Sequence, residues 1–369
     1  MSRHGFVMSS LAEMLGASQN APETLHLDLG DCRIAVRSNS KALVQELDEY
    51  FGGFVTTGAE ADVVITALEG PEPQVPLELT RKEPDPGKTK VKEEFADLPG
   101  GRLVRKTLTG MVFLFGKGCN LAVGPCLKNS NQVVNFVNNR YIEHKLRQGC
   151  LLGHAAAVAH LMADGNGGRL RGLALCGFSG AGKSTLAMHV MSRGALFVSN
   201  DRLLVAPEGQ GLRMSGVPKL PRINPGTALN NPDLAPVVPL HDRQRFLDMD
   251  ADDLWHLEHK YDVFLDKCFG EGRFVLQSPM QGLVVLNWKR DGGDCSIRFV
   301  KATERPDLLP AFMKAAGLFS LPREGEQEWR DPGAEEYAAL LSRADLIEVS
   351  GGVDFDRAAD FCIEYLVHG

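Results

Sequence analysis

Residues 177–185 read Gly177-Phe178-Ser179-Gly180-Ala181-Gly182-Lys183-Ser184-Thr185, a full match to the phosphate-loop pattern G-x-x-x-x-G-K-[ST]. Glycines let a backbone wrap around phosphate oxygens with its N–H groups turned inward, at the positive end of the helix that follows. In such a loop Lys183 would neutralise the β- and γ-phosphates and the Ser184 hydroxyl would ligate Mg²⁺. The pattern implies a nucleoside triphosphate, ATP, as ligand; the bland alternative is a glycine-rich strand-to-helix turn. Bound triphosphate also needs an acidic metal ligand, and the nearest candidate is Asp201, after Asn200 at the end of the apolar run 195–198. A strand–loop–helix–strand unit this tight can bring Asp201 beside Ser184 at the carboxyl edge of a sheet. The competing reading of Asp201 is a surface carboxylate paired with Arg202. His154 lies in an apolar segment, where a histidine is more often a satisfied core residue than a catalyst. His160 reads as core.

These residues need elements to hold them. An apolar run, Leu173 to Cys176, enters the loop, and a helical run, Thr185 to Arg193, leaves it. The Arg193-Gly194 turn then returns the chain to a strand ending at Asn200. Upstream, Leu25 to Arg37 alternates apolar and polar residues as two half-buried strands around Gly30-Asp31. Ser40 to Tyr50 reads as helix, Ala61 to Ala67 as strand, and Arg102 to Gly124 as a hairpin sheet. Residues 70–101, rich in Pro, Lys, Glu and Asp, read as an exposed charged loop. Ser130 to Gln148 has helical spacing, and a Gly/Asn hairpin at 164–168 leads back to the phosphate-loop strand. Residues 214–229 carry Pro and Gly and read as irregular. LVVLNW (283–288) reads as a buried strand, and the pattern from Pro306 onward as mostly helical. The expected division is an N-terminal α+β module (1–128), a phosphate-loop core (129–303) and a helical C-terminal extension (304–369).

A chain of 369 residues allows two domains, and 44% apolar with 24% charged residues is ordinary for a soluble globular protein. The formal charge of −7 gives no global attraction to nucleic acid or an anionic membrane. The eight cysteines are scattered without a C-x-x-C, as reduced thiols of a cytoplasmic protein would be. No stretch has signal-peptide or membrane-spanning character.

The string H-x-x-x-V…G-x-S-G-x-G-K-S-T-L-A…S-N-D-R resembles the catalytic core of the HPr kinase/phosphorylase family. The strings GVPKLPRINPGTAL and KYDVFLDKCFG make the chain similar to the bacterial HPr kinase-related kinase B branch. The match covers roughly 150–270. The resemblance implies an α/β fold: a nucleotide-binding core of the phosphoenolpyruvate carboxykinase type with a mixed sheet. It also implies an ATP- and Mg²⁺-dependent kinase acting on a hydroxyl, a serine of a partner protein. Transferred by position, nucleotide contacts fall on Gly177 through Thr185, metal on Ser184 and Asp201, and His154 lies near the reacting phosphate. Arg222 would be a phosphate or substrate contact, or a loop-locking donor. Related kinases form rings, which leaves homo-oligomers open.

Three positions depart from the family. Its proton-accepting aspartate is Asn200 here, which takes no proton at neutral pH. Its acidic residues inside and after the loop are Phe178 and Thr185. Phosphoryl transfer is mostly positioning and charge neutralisation, so a lost base need not abolish it. Two alternatives to a protein kinase follow, a kinase of small metabolites and a nucleotide-binding regulator with negligible turnover.

Overall fold

The computed structural model describes residues 8–369 except 59, 85–88, 164–167, 179, 258, 324–325 and 327. Ser179 and most of the 164–168 hairpin thus lie outside the described residues. The chain forms two compact units, Met1–Arg147 with Ala316–Arg330, and Gln148–Ala315 with Asp331–Gly369.

In the first unit α1 (Met8–Met14) precedes β1 (Glu23–Asp28) and β2 (Arg33–Ser38), which pair antiparallel around Gly30 at φ +82°. Ser40 caps α2 (Lys41–Phe51), its side chain accepting from the Leu43 amide. The short β3 (Val55–Thr56) is followed by β4 (Val63–Glu69), β5 (Thr80–Arg81), β6 (Glu93–Leu98) and β7 (Gly101–Lys106). With β8 (Val112–Gly116) and β9 (Cys119–Gly124) they make a nine-stranded sheet, β3-β1-β2-β4-β9-β8-β7-β6-β5. The stretch 70–101 is therefore not all loop. Its charges zip β6 to its neighbours, Glu93 to Lys82 at 3.1 Å and to Lys106, Glu94 to Arg81 at 3.4 Å and Arg105 at 3.3 Å. Helix α3 (Ser130–Arg147) belongs to this unit, beyond the expected boundary at 128. Its Arg140 explains why 316–330 does too. The buried guanidinium lies 4.3 Å from the Phe115 ring centre, pairs with Glu143 and donates to the Phe319 carbonyl. Burial lowers its pKa to about 10, so the charge is kept.

The second unit runs β10 (Leu151–Gly153), β11 (Ala155–Met162), β12 (Arg169–Gly177), α4 (Lys183–Ser192) and β13 (Leu196–Ser199). Then come β14 (Leu203–Glu208), β15 (Gly211–Ser215), β16 (Arg222–Ile223), α5 (Pro225–Leu229), α6 (Leu240–Leu247) and α7 (Ala251–His256). The remainder is β17 (Tyr261–Asp262), α8 (Leu265–Phe269), β18 (Gln277–Trp288), β19 (Ser296–Val300), α9 (Ala334–Leu341), β20 (Asp345–Gly351) and α10 (Phe355–His368). The fold is α/β with a mixed sheet, β10-β14-β15-β18-β12-β11-β13, in which β20 lies beside β18 and β19 beside β20. Strands β12, β18 and β20 are parallel, while β11 runs antiparallel to both β12 and β13.

The two-residue period of the strands sorts side chains onto two cores. Ala156, Val158, Leu173 and Leu175 face Leu186 and Val190 of α4 and Ala358 and Cys362 of α10. Ala155, Ala157, Ala174 and Cys176 face Leu308, Phe312 and Tyr337. The C-terminal segment supplies helices, as expected, but also β20, a buried parallel strand whose short run of Leu346, Ile347 and Val349 carries no helical period. Among the described residues no helix is long and apolar enough to cross a membrane.

Candidate functional site

The sheet topology gathers the chemistry at one edge. β12 ends at Gly177 and opens into the glycine loop, and β13 ends at Ser199, just before Asn200-Asp201. β11 lies antiparallel between them, so its first residues share the edge with their last, Ala155 opposite Cys176 and Ala157 opposite Ser199. His154, immediately before β11, is thereby set between the glycine loop and Asp201. Its Nε2 is 3.1 Å from Asp201 Oδ1.

Loop and helix form as the glycines require. Gly180 and Gly182 adopt φ of +81° and +87°, a region side chains disfavour. At Gly182 a Cβ would also come within 2.5 Å of the Phe355 ring, and at Gly177 within 3.0 Å of Leu286. The Trp288 indole donates to the Ala181 carbonyl at 2.9 Å, and Lys183 Nζ donates to the Gly177 carbonyl at 2.9 Å. Phe178 stands half exposed on the loop. Thr185 Oγ1 is 2.8 Å from Thr227 Oγ1, which ties the first turn of α4 to α5.

Asp201 is the electrostatic centre. Burial pushes its carboxyl upward, but the His154 hydrogen bond and the charges of Lys314, His154 and Arg202 outweigh that and hold it well below the usual carboxylate range. Lys314 Nζ and Arg202 Nε each stand 3.9 Å from Asp201 Oδ2. Burial lowers the Lys183 pKa, the Asp201 charge acts against it, and Lys314 and Lys260 add to the lowering. Asn200 holds its Oδ1 buried with no hydrogen-bond partner among the described residues.

Of the residues singled out in the sequence, His154, Lys183, Asn200 and Asp201 converge with the glycine loop. No hydrogen bond joins Asp201 to Ser184; the carboxylate is held by His154 and flanked by cations instead. Arg222 takes the loop-locking geometry, 3.2 Å from Asp262 Oδ1 and donating to the Lys260 carbonyl at 3.2 Å. His160 lies on β11, well down the strand from this edge.

No motif or spacing marks Lys219, Lys260 or Lys314, whose charges act on Lys183 or Asp201. Lys219 sits inside GVPKLPR, where one lysine among prolines carries no charge pattern. Nothing local marks Lys314. It reaches the site because the His154 amide donates to the Phe312 carbonyl at 2.6 Å and Gly153 bridges to Met313. The segment 216–222 arrives by close packing. A Cβ on Gly216 would lie 1.9 Å from the Val198 carbonyl oxygen, so only glycine lets the chain cross the end of β13 there.

Hard oxygen donors suit Mg²⁺, and an ionised Asp201 carboxylate with the Ser184 hydroxyl is the kind of sparse protein set that magnesium shares with phosphates. Among the described residues no group of three or more His, Cys, Asp or Glu forms a cage of its own. The Asn200 oxygen, unpartnered among the described residues, adds a neutral acceptor at the same edge.

No family model matches the chain, and no curated protein matches it in sequence. Among solved structures, the Hpr(Ser) kinase/phosphatase from Coxiella burnetii is similar with a TM-score of 0.28 at 13% identity, over 58% of this chain and 87% of that one. A likeness at that level says nothing of activity.

Proposed function

We propose that the chain is an ATP-dependent kinase that transfers the γ-phosphoryl group to a hydroxyl. The observation that carries the reading is the convergence, at one sheet edge, of the phosphate loop's described residues with the His154–Asp201 pair. Gly177 through Thr185 would cradle the triphosphate with backbone N–H groups, and Lys183 would leave the Gly177 carbonyl for phosphate oxygens. Ser184 and Asp201 would hold Mg²⁺, which when bound neutralises charge on the β- and γ-phosphates. His154 has Nε2 committed to Asp201, so Nδ1 is the nitrogen left for the acceptor's proton. The acceptor oxygen bonds to Pγ, the bond from Pγ to the bridging oxygen breaks, ADP departs and the proton passes to His154. Arg222, held by Asp262 and the Lys260 carbonyl, would support the loop or contact a phosphate.

The resemblance implies a serine of a partner protein as acceptor, and the metabolite kinase remains the second enzyme reading. Asn200 in place of a carboxylate is what favours the third, a regulator that binds nucleotide without turnover. Incubation of the purified protein with γ-labelled ATP and host lysate separates them. Label in a protein band or in small molecules supports a kinase, with Lys183→Ala abolishing it. Tight ATP binding without transfer supports the regulator, and transfer undiminished in Lys183→Ala overturns the whole reading.

A further inference from the structure

A cavity of about 220 Å³ opens in the first unit, and every described residue that lines it belongs to that unit. Helix α3 borders it with four carboxamides, Asn131, Gln132, Asn135 and Asn139. The three asparagines stand at i, i+4 and i+8, one row on the helix. Asparagine is a poor helix former, so such a row does nothing for the stability of α3 itself. Gln132 adds a second sign of a ligand. Its Nε2 donates to Thr109 Oγ1 at 3.0 Å, while its Oε1 is buried with no hydrogen-bond partner among the described residues. Turning the amide over would only exchange the two atoms, because the Thr109 hydroxyl serves one of them and the other is left. A buried acceptor left unmet is unfavourable until something brings it a donor.

The rest of the lining narrows what that donor belongs to. Glu93, the one carboxylate there among the described residues, is paired with Lys106 and, at 3.1 Å, with Lys82. A free amino acid, with an ammonium and a carboxylate to place, would have to part those ion pairs. Phe113 and Phe136 also line the cavity but are 1% exposed. Phe319 is stacked on Phe115 at 5.4 Å, with Lys106 Nζ 5.1 Å from its centre. These rings make an apolar wall and offer a nucleobase no broad face to stack on. The volume lies below the roughly 300–1,000 Å³ of a drug-sized ligand's pocket, which limits the occupant to about one ring.

We propose that this cavity binds a single neutral monosaccharide, whose hydroxyl groups are met by Gln132, Asn135 and Asn139. A sugar hydroxyl both donates and accepts, as a carboxamide does, and one that donates to Gln132 Oε1 satisfies the buried oxygen. Asn135 and Asn139 are already engaged, and a carboxamide keeps hydrogen-bonding capacity beyond one partner. The C–H groups of the sugar ring would lie against the phenylalanine wall. The inference is independent of the kinase reading.

Calorimetry on the full chain tests it, with glucose, galactose, mannose and ribose as probes and with adenosine and free glutamine as the competing classes. At least one sugar is expected to bind saturably at about 1 mM or tighter. Gln132→Met keeps the length of the side chain and removes its polar atoms. It is expected to weaken that sugar at least ~10-fold, with circular dichroism and the unfolding midpoint unchanged, which locates the binding at α3. Asn135→Ala, expected to weaken it about 5-fold, decides the matter if the methionine variant misfolds. The absence of saturable sugar binding overturns the proposal, and so does sugar binding that the folded variant leaves intact. Adenosine or glutamine binding more tightly than every sugar, and lost in Gln132→Met, overturns the monosaccharide as occupant.

Discussion

His154 Nε2 lies 3.1 Å from Asp201 Oδ1, and the contact exists because β11 runs antiparallel between the strand that enters the phosphate loop and the strand that ends at Asn200. An aspartate on one ring nitrogen fixes the tautomer and leaves the other nitrogen free to accept a proton. His154→Gln keeps a donor for Asp201 but cannot take a proton at neutral pH. Its kcat is expected to fall by roughly 10²-fold or more, the usual worth of general-base help, with the KM for ATP little changed. Steady-state kinetics on the labelled acceptor checks this, and an unchanged kcat would leave the histidine a purely structural role.

The Asn200 position permits the opposite experiment. Its Oδ1 is buried and, among the described residues, unpartnered, beside a carboxylate held ionised by His154 and lysine charge. An aspartate there would feel Asp201 as a like charge, which raises one of the two pKa values toward that of a working base. Asn200→Asp is expected to raise kcat by about 10-fold or more. A rate equal to or below that of the unsubstituted protein would mean that positioning with His154 suffices.

The glycine loop with its flanking strand and helix could be read from the sequence because each signal is local: a fixed spacing, an apolar run, a helical period; His154 was singled out only by the resemblance, its own apolar setting pointing to the core. The alternation of Leu25 to Arg37 and the cap at Ser40 were legible for the same reason. What stayed hidden depends on contacts distant in sequence. Lys314 joins the site only through the Phe312–His154 backbone bond, and β20 is specified by its neighbours β18 and β19 more than by its own short run. Strand β6 was masked by charges that resemble those of a solvated loop until Lys106 and Arg105 on β7 are seen opposite them. Residues 316–330 follow Arg140 and Glu143 into the first unit, a pairing no spacing announces.

Glu348 on β20 offers a pH test of the second unit. Its side chain is 2% exposed and accepts from Arg298 at 2.9 Å, Asn287 at 2.9 Å and Arg305. Burial pushes its pKa upward, but the Arg305 and Asn287 hydrogen bonds, the Arg305 charge and the Arg298 hydrogen bond prevail and hold it below the ordinary value of 4.5. A carboxyl whose pKa is lower folded than unfolded contributes stability in full above the unfolded value and loses it as pH falls through the folded one. Glu348→Gln is therefore expected to lose about 1–3 kcal/mol near neutral pH, with the difference shrinking below about pH 4.5. Amide exchange of β18 and β20 reads this out locally, and a difference independent of pH would show that the charge is not the source.

Gly216 is the last of these tests, and it separates the loop from the chemistry it carries. A Cβ at this residue would stand 1.9 Å from the Val198 carbonyl oxygen, a backbone atom that cannot swing aside as a side chain could. The Gly216 amide is meanwhile held by the Leu276 carbonyl at 2.7 Å, so the chain cannot lift without breaking that bond. Gly216→Ala is expected to cost at least about 3 kcal/mol, the upper end for overpacking, and to displace Lys219 and Arg222. Thermal unfolding gives the first number. Calorimetry with a non-hydrolysable ATP analogue gives the second, and a loss of nucleotide affinity beyond the loss of stability would place 216–222 in the nucleotide's own site.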